Sequence, residues 1–300
     1  YNRRWHCMKP EKGKTVVGFA GLGVMGHSMA GHIMRGGYDL LVYNRSKAKA
    51  MDLLTQGAVW KDDIHSLAEK SDVVITMVGF PADVEEVYLG ERGLLAGARP
   101  GTVLIDMTTS SPDLAVRIAA AGGEKGIPVL DAPVSGGDRG AREGTLSIMV
   151  GGEEAVFQDM MPLFSLLGKN VVFQGGPGSG QHTKMANQIA IASNMMGVCE
   201  ALAYSKKAGL DPERVLSSIS GGAAGSWSLS NLAPRILAGD FAPGFFVKHF
   251  LKDMKIALDE AERMGLDAPG LKKAFEQYGI LASRGFENEG TQALYKLYGE

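Results

Sequence analysis

Three groups of residues have the types and spacing to do chemistry. Gly21-Leu22-Gly23-Val24-Met25-Gly26 is a G-x-G-x-x-G turn. Glycines at those places allow a tight turn, let backbone N–H groups approach a pyrophosphate, and let a helix pack closely on a strand. Ser135-Gly136-Gly137 offers a hydroxyl and backbone N–H groups able to nest a carboxylate. Lys184, Asn187 and Gln188 are spaced three and four residues apart, so a helix carries them on one face. No charged residue follows Lys184 until Glu200. A lysine there is suited to proton chemistry, or to ending the first turn of a buried helix; spacing alone leaves both open.

The segment after the second apolar run points to the cofactor. Asn44-Arg45-Ser46 carries no acid where an NAD enzyme usually places Asp or Glu for the ribose 2′-OH. Arg45 can pair a 2′-phosphate instead, with Asn44 and Ser46 donating hydrogen bonds. The expected cofactor is NADP, with NAD possible if Arg45 is only a solvated loop residue. Met77, Val78 and Pro81 end a further strand and are expected to line the adenosine and nicotinamide side.

The elements that must position these residues can be read from the hydrophobic pattern. Short apolar runs at Val16–Ala20, Leu40–Tyr43, Val73–Val78, Val103–Asp106, Val129–Asp131, Leu146–Val150 and Val171–Phe173 read as buried strands. Helical spacing lies between them, as in Met25, Met29 and Ile33, and over Pro112–Ala121 and Glu153–Leu167. Such alternation predicts an α/β fold: an N-terminal Rossmann domain with a doubly wound, largely parallel sheet. Gly175-Gly-Pro-Gly-Ser-Gly180 reads as the junction. Beyond it the pattern is helical: Gln181–Ala208, Val215–Ser220, Leu229–Leu237, His249–Met264 and Leu271–Arg284. The expected domains are 15–178 for the cofactor and 179–300, all α, for substrate and oligomerisation.

Composition narrows the function class. With 31 Lys and Arg against 33 Asp and Glu, the formal charge is −2 and no like-charged block stands out. That argues against a nucleic-acid or anionic-membrane surface. Cys7 and Cys199 do not make a disulfide framework, and a reducing cytoplasm is expected. The uncharged stretch Met185–Cys199 is short of the roughly 20 residues of a membrane span and reads as a buried helix. Tyr1–Cys7 has no apolar core of a signal peptide; Met8 is a candidate native start. The histidines show no metal-ligand spacing, and His182 reads as polar packing.

Four segments in order resemble the β-hydroxyacid dehydrogenases, the family of 3-hydroxyisobutyrate dehydrogenase, tartronate semialdehyde reductase and glyoxylate/succinic semialdehyde reductase. They are Gly21-Leu-Gly-Val-Met-Gly-His-Ser-Met-Ala30; Asp131-Ala-Pro-Val-Ser-Gly-Gly137 with Gly144-Thr-Leu146; Gly178-Ser-Gly-Gln-His-Thr-Lys-Met-Ala-Asn187; and Lys252-Asp-Met-Lys-Ile-Ala257. His32 and Gln188 depart from the pattern, where the family often has Asn. The resemblance implies that Lys184 is the general acid protonating a carbonyl oxygen, with a pKa lowered from about 10.4 by desolvation and the cationic nicotinamide. It implies that Asn187 orients that ammonium or the reacting oxygen, and that Thr109 touches nicotinamide and substrate. Lys252 would reach the cofactor, and Phe246 and Asp253 would line the substrate pocket. Trp227 either walls that pocket or packs in a core.

The expected activity is therefore interconversion of a small carboxylate-bearing aldehyde, such as glyoxylate or succinic semialdehyde, with its hydroxy acid by hydride transfer. 3-Hydroxyisobutyrate oxidation is the alternative within the family. A non-catalytic cofactor-binding scaffold is the alternative of another class, although scaffold relatives tend to lose the lysine. Imine reductases also usually lack it, and 6-phosphogluconate dehydrogenases are much longer. The resemblance implies a homodimer or homotetramer.

Overall fold

A computed structural model describes residues 9–298. The expectations on Tyr1–Cys7 and Met8 lie outside the described residues. The chain divides into two compact units, 1–184 and 185–300. The division falls inside one helix, Ser179–Lys207.

The described residues of the first unit form nine strands: β1 (Val16–Ala20), β2 (Asp39–Tyr43), β3 (Val59–Trp60), β4 (Val73–Thr76), β5 (Val103–Asp106), β6 (Val129–Asp131), β7 (Val134–Ser135), β8 (Leu146–Gly151) and β9 (Gly168–Gly175). They form one sheet in the order β3-β2-β1-β4-β5-β6-β8-β7, with β9 paired to β8. Strands β1 to β6 are parallel to one another. The sheet then reverses, because β8 pairs antiparallel with both β6 and β7. This is the expected Rossmann sheet. The sequence pattern did not reveal β3 and β7, each too short at two residues to show a period.

Residues alternate across the sheet into two cores, which is why the strands read as unbroken apolar runs. Leu40 and Val42, Val73 and Ile75, and Val103 and Ile105 pack into one core with Met29, Ile33 and Phe164. Leu41, Val74 and Leu104 point into the other with Leu67, Tyr88 and Ile118. Burying both faces leaves functional groups only at strand ends. The order reverses at β1, which has β2 on one side and β4 on the other. A crevice beyond the carboxyl ends of two such strands is where doubly wound sheets take ligands.

The second unit is helical among the described residues. Its main helices are the remainder of Ser179–Lys207, Pro212–Ile219, Val247–Arg263 and Pro269–Leu281, around a core including Met195, Leu202, Phe250, Met254 and Tyr278. The single helix expected over Leu229–Leu237 is two, Trp227–Asn231 and Ala233–Leu237. Pro234 explains the break: it lacks the N–H that would continue the first helix, and suits the first turn of the second. The helix expected to reach Arg284 is α-helical only to Leu281. It widens into a π turn over Ala282–Phe286 with Gly285 at φ 90°.

Candidate active site

The glycine turn follows β1 directly, and its three glycines differ in environment. Gly21 has φ 98°, and a Cβ there would lie 2.2 Å from the Met77 carbonyl oxygen. At Gly26, the first residue of the helix Gly26–Arg35, a Cβ would lie 1.9 Å from the Gly21 carbonyl oxygen. These two are needed by the protein's own packing. At Gly23 a Cβ would meet nothing within 4 Å. Open space at that glycine, beside a helix N-terminus with no acid in its first turn, fits a bound pyrophosphate. Leu22 is buried and Val24 is exposed, while Met25 is half-buried at the helix start.

The neighbouring strand ends complete this side. The Leu22 N–H donates to Asn44 Oδ1 at 2.9 Å, and Asn44 Nδ2 donates to the Ser46 carbonyl at 3.0 Å. Asn44 thus ties the turn to the end of β2, a structural duty the pattern did not show. Arg45 donates through Nη2 to Asp83. That bond holds the guanidinium charged, and Glu86 adds to the effect. Met77 and Val78 lie past β4 against Gly21, and Pro81 opens the helix Pro81–Leu89.

A buried polar network joins the ends of β4, β5 and β6. The Val78 N–H donates to Thr108 Oγ1 at 2.9 Å. Thr76 Oγ1 donates to Asp106 Oδ1 at 2.8 Å, and the Thr108 N–H donates to the same oxygen at 3.1 Å. Gln181, fully buried, spans the next segment: its Nε2 donates to the Thr108 carbonyl at 2.7 Å, and its Oε1 accepts from the Ser110 N–H at 2.9 Å. Thr109 sits between those two anchors and stays half-buried. Asp131, the last residue of β6, accepts from the N–H groups of Gly178 and Gln181, each at 2.8 Å. Burial pushes the Asp131 carboxyl up to about 6, against the lowering effect of those two donors. Asp131 and Gln181 thereby hold the first turn of the Ser179–Lys207 helix at the strand ends. Lys184 follows one turn on, 6% exposed. Sequence reasoning passed over Gln181 and Asp131 as site-building residues. Their one signal was that they lie within the segments carrying the family resemblance.

Ser135 lies in β7, opposite Ser147 of β8. Gly136 and Gly137 have φ 132° and 62°, a conformation in which a Cβ is strained, and the helix Gly137–Glu143 begins there. The two positive φ values turn the chain sharply from β7 into that helix.

In the helical unit, Asn187 Nδ2 donates to Gln188 Oε1 at 2.7 Å, and Gln188 Nε2 donates to Asp253 Oδ2 at 2.6 Å. Lys252 Nζ lies 2.9 Å from Asp253 Oδ1, an ionic contact without good hydrogen-bond alignment. Asp253 is 1% exposed. It holds Gln188 by a hydrogen bond to one carboxylate oxygen and Lys252 by an ionic contact to the other. Gln188, where the resemblance departs from the family, is a member of this chain. His32, the other departure, lies 3.0 Å through Nε2 from each of the carbonyls of Ala141 and Arg142. Phe246 precedes the helix Val247–Arg263, half-buried, with its ring edge-on to His249 at 5.7 Å. Trp227 is 59% exposed and is therefore not a core residue. His182 is exposed rather than packed. Among the described residues no group of three or more His, Cys, Asp or Glu could hold a metal ion. No described helix is long and apolar enough to cross a membrane.

A glycine turn of this geometry at the switch point of a Rossmann sheet, followed by a helical unit, defines an NAD(P)-binding oxidoreductase of the two-domain dehydrogenase type. Residues 16–176 match the NAD-binding domain of 6-phosphogluconate dehydrogenase, and residues 178–298 match the NAD-binding domain of NADP-dependent 3-hydroxyisobutyrate dehydrogenase. The chain is 61% identical over 285 residues to an uncharacterized oxidoreductase of Bacillus subtilis (strain 168), covering 95% of this chain and 99% of that protein. It is 43% identical over 278 residues to the 2-hydroxy-3-oxopropionate reductase of Escherichia coli (strain K12), covering 93% and 95%. The solved 3-hydroxyisobutyrate dehydrogenase of Mycobacterium tuberculosis superposes with a TM-score of 0.87 at 28% identity, covering 94% of this chain and 98% of that one. The chain belongs to the β-hydroxyacid dehydrogenase family of NAD(P)-dependent oxidoreductases.

Proposed function

We propose that this oxidoreductase reduces a small carboxylate-bearing aldehyde to its hydroxy acid with NADPH, and catalyses the reverse oxidation. The observation that carries the reading is the burial of Lys184, in a helix whose first turn Asp131 and Gln181 hold at the ends of β5 and β6. The name of the E. coli relative supports the substrate class, since 2-hydroxy-3-oxopropionate is an aldehyde bearing a carboxylate.

NADPH, when bound, supplies the hydride for the carbonyl carbon. The chain does the rest. Lys184 holds the proton that passes to the carbonyl oxygen as the alcohol forms, and takes it back in the oxidation. Asn187, on the next turn of the same helix, orients the reacting oxygen. The Ser135 hydroxyl and the N–H groups of Gly136 and Gly137 hold the carboxylate. Thr109, kept in place by Gln181, sets the position of the reacting carbon. Arg45 selects the 2′-phosphate. Oxidation of 3-hydroxyisobutyrate is the second reading, favoured by the match of residues 178–298 to the NADP-dependent enzyme acting on it.

The test is a steady-state panel with NADPH: glyoxylate, succinic semialdehyde, 2-hydroxy-3-oxopropionate, and an uncharged aldehyde of similar size, with 3-hydroxyisobutyrate and NADP for the reverse. The expected result is turnover of at least one carboxylate-bearing aldehyde, with kcat/KM lower by about tenfold to a hundredfold for the uncharged one. Equal kcat/KM would remove the carboxylate nest from the mechanism. Tight NADPH binding with no turnover on any compound would make the chain a scaffold.

A further inference from the structure

Arg45 is not alone at the end of β2. Its Nη2 donates to Asp83 Oδ1, from the first turn of the helix Pro81–Leu89. We propose that Asp83 sets the cofactor preference: its carboxylate competes with the 2′-phosphate of NADP for the Arg45 guanidinium, and so narrows the advantage of NADP over NAD. The inference rests on the proposed role of Arg45 at the 2′-phosphate.

The two partners are held very differently. Asp83 is fixed by its own helix start: its Oδ2 accepts from the Phe80 N–H at 3.0 Å, and its side chain is only 21% exposed. Arg45 is the long partner, with 75% of its side chain exposed. Glu86, one turn further along the same helix, adds a second negative charge that acts on Arg45. A 2′-phosphate arriving here must draw the guanidinium off Asp83, or share it while lying beside two carboxylates. Both cost binding free energy, and NAD meets neither cost because its ribose carries a neutral hydroxyl. A guanidinium stays charged at any working pH, so this is a matter of competing anions and not of titration. Exposed ion pairs are weak, which limits the expected effect to a modest factor.

The experiment is a fluorescence titration of the full chain with NADPH and with NADH, for the unmutated protein, Asp83→Asn, Glu86→Gln and Arg45→Ala. Asn at 83 keeps an oxygen for the Phe80 N–H and removes the charge. Asp83→Asn is expected to tighten NADPH about twofold to fivefold while leaving NADH nearly unchanged. Glu86→Gln should shift the ratio the same way by less. Disturbance of the helix start would move both cofactors together, so a parallel change overturns the proposal. Weaker NADPH binding in Asp83→Asn also overturns it, by showing that Asp83 prepares Arg45 for the phosphate. If Asp83→Asn does not fold, an unchanged ratio in Glu86→Gln overturns it and a raised ratio supports it. Arg45→Ala separates the two levels. If it leaves the NADPH to NADH ratio unchanged, the 2′-phosphate reading fails and this inference with it. If it lowers the ratio while Asp83→Asn fails to raise it, only the present inference fails.

Discussion

The carboxylate of Asp131 at the end of β6 accepts the backbone N–H of Gln181 at 2.8 Å, across 50 residues of sequence. That bond, with its twin from Gly178, seats the helix start that precedes Lys184 at the strand ends.

Asp131 should make stability pH-dependent. Burial raises its carboxyl to about 6 in the folded chain, from an unfolded value of 3.8. Between those values the folded state binds the proton more tightly. The contribution of Asp131 is therefore fully present below about pH 3.8 and is lost as pH rises through about 6. Asp131→Asn cannot titrate, and it turns an N–H toward one of the two donors, leaving a buried donor unmatched at about 1–3 kcal/mol. Urea unfolding should show the variant to be less stable. The gap to the unmutated protein should widen between pH 7 and pH 5. A constant gap would mean that the folded carboxyl titrates normally.

The three glycines of the turn should separate on substitution. Gly23→Ala has room for its Cβ within the protein, so melting temperature should hold while NADPH affinity falls, because the methyl group takes pyrophosphate space. Gly21→Ala and Gly26→Ala drive a Cβ into backbone oxygens and should lower the melting temperature before any cofactor is added. Each is expected to cost about 1–3 kcal/mol or more. Thermal melts with and without NADPH check this. A Gly23→Ala protein that binds NADPH normally would show that the pyrophosphate lies elsewhere.

Lys184→Ala should lower kcat by about 10²–10⁴-fold, the usual contribution of a placed proton donor. NADPH affinity should change little, since the pyrophosphate turn is built around Gly21, Gly23 and Gly26. Lys184→Arg should not restore activity, because a guanidinium stays protonated and is bulkier. Circular dichroism and melting temperature distinguish a chemical loss from a structural one. A folded Lys184→Ala protein with kcat within a few-fold of the unmutated enzyme would place the general acid elsewhere.

The sequence by itself determined the class of fold. Both faces of β1, β4 and β5 are buried, so their apolar runs had to read as strands, and the helices between them had to lie on both sides. It also located the cofactor turn, because the backbone geometry of a phosphate cradle needs glycine at fixed spacing. Lys184 stood out for a similar local reason: no charge follows it until Glu200. What the periodicity missed was short or interrupted. Strands β3 and β7 have two residues each, and Pro234 split a helix whose apolar spacing ran on unbroken.

Only the tertiary structure decided which polar groups meet. Asp83 at Arg45, Gln181 at Thr108 and Ser110, and Asp253 at Gln188 are pairings across 38 to 73 residues. A hydropathy pattern reports whether a side chain is buried. It does not report what lies across from it, because that depends on strand order and on the register of distant elements. Asp253 shows the difference. Its helix and its burial were open to reading from spacing, but the placement of Gln188 and Lys252 on its two oxygens was not. Trp227 shows the converse: a large apolar side chain that could have packed inside lies on the surface, while Leu229 and Ile236 near it in sequence are buried in the helical core.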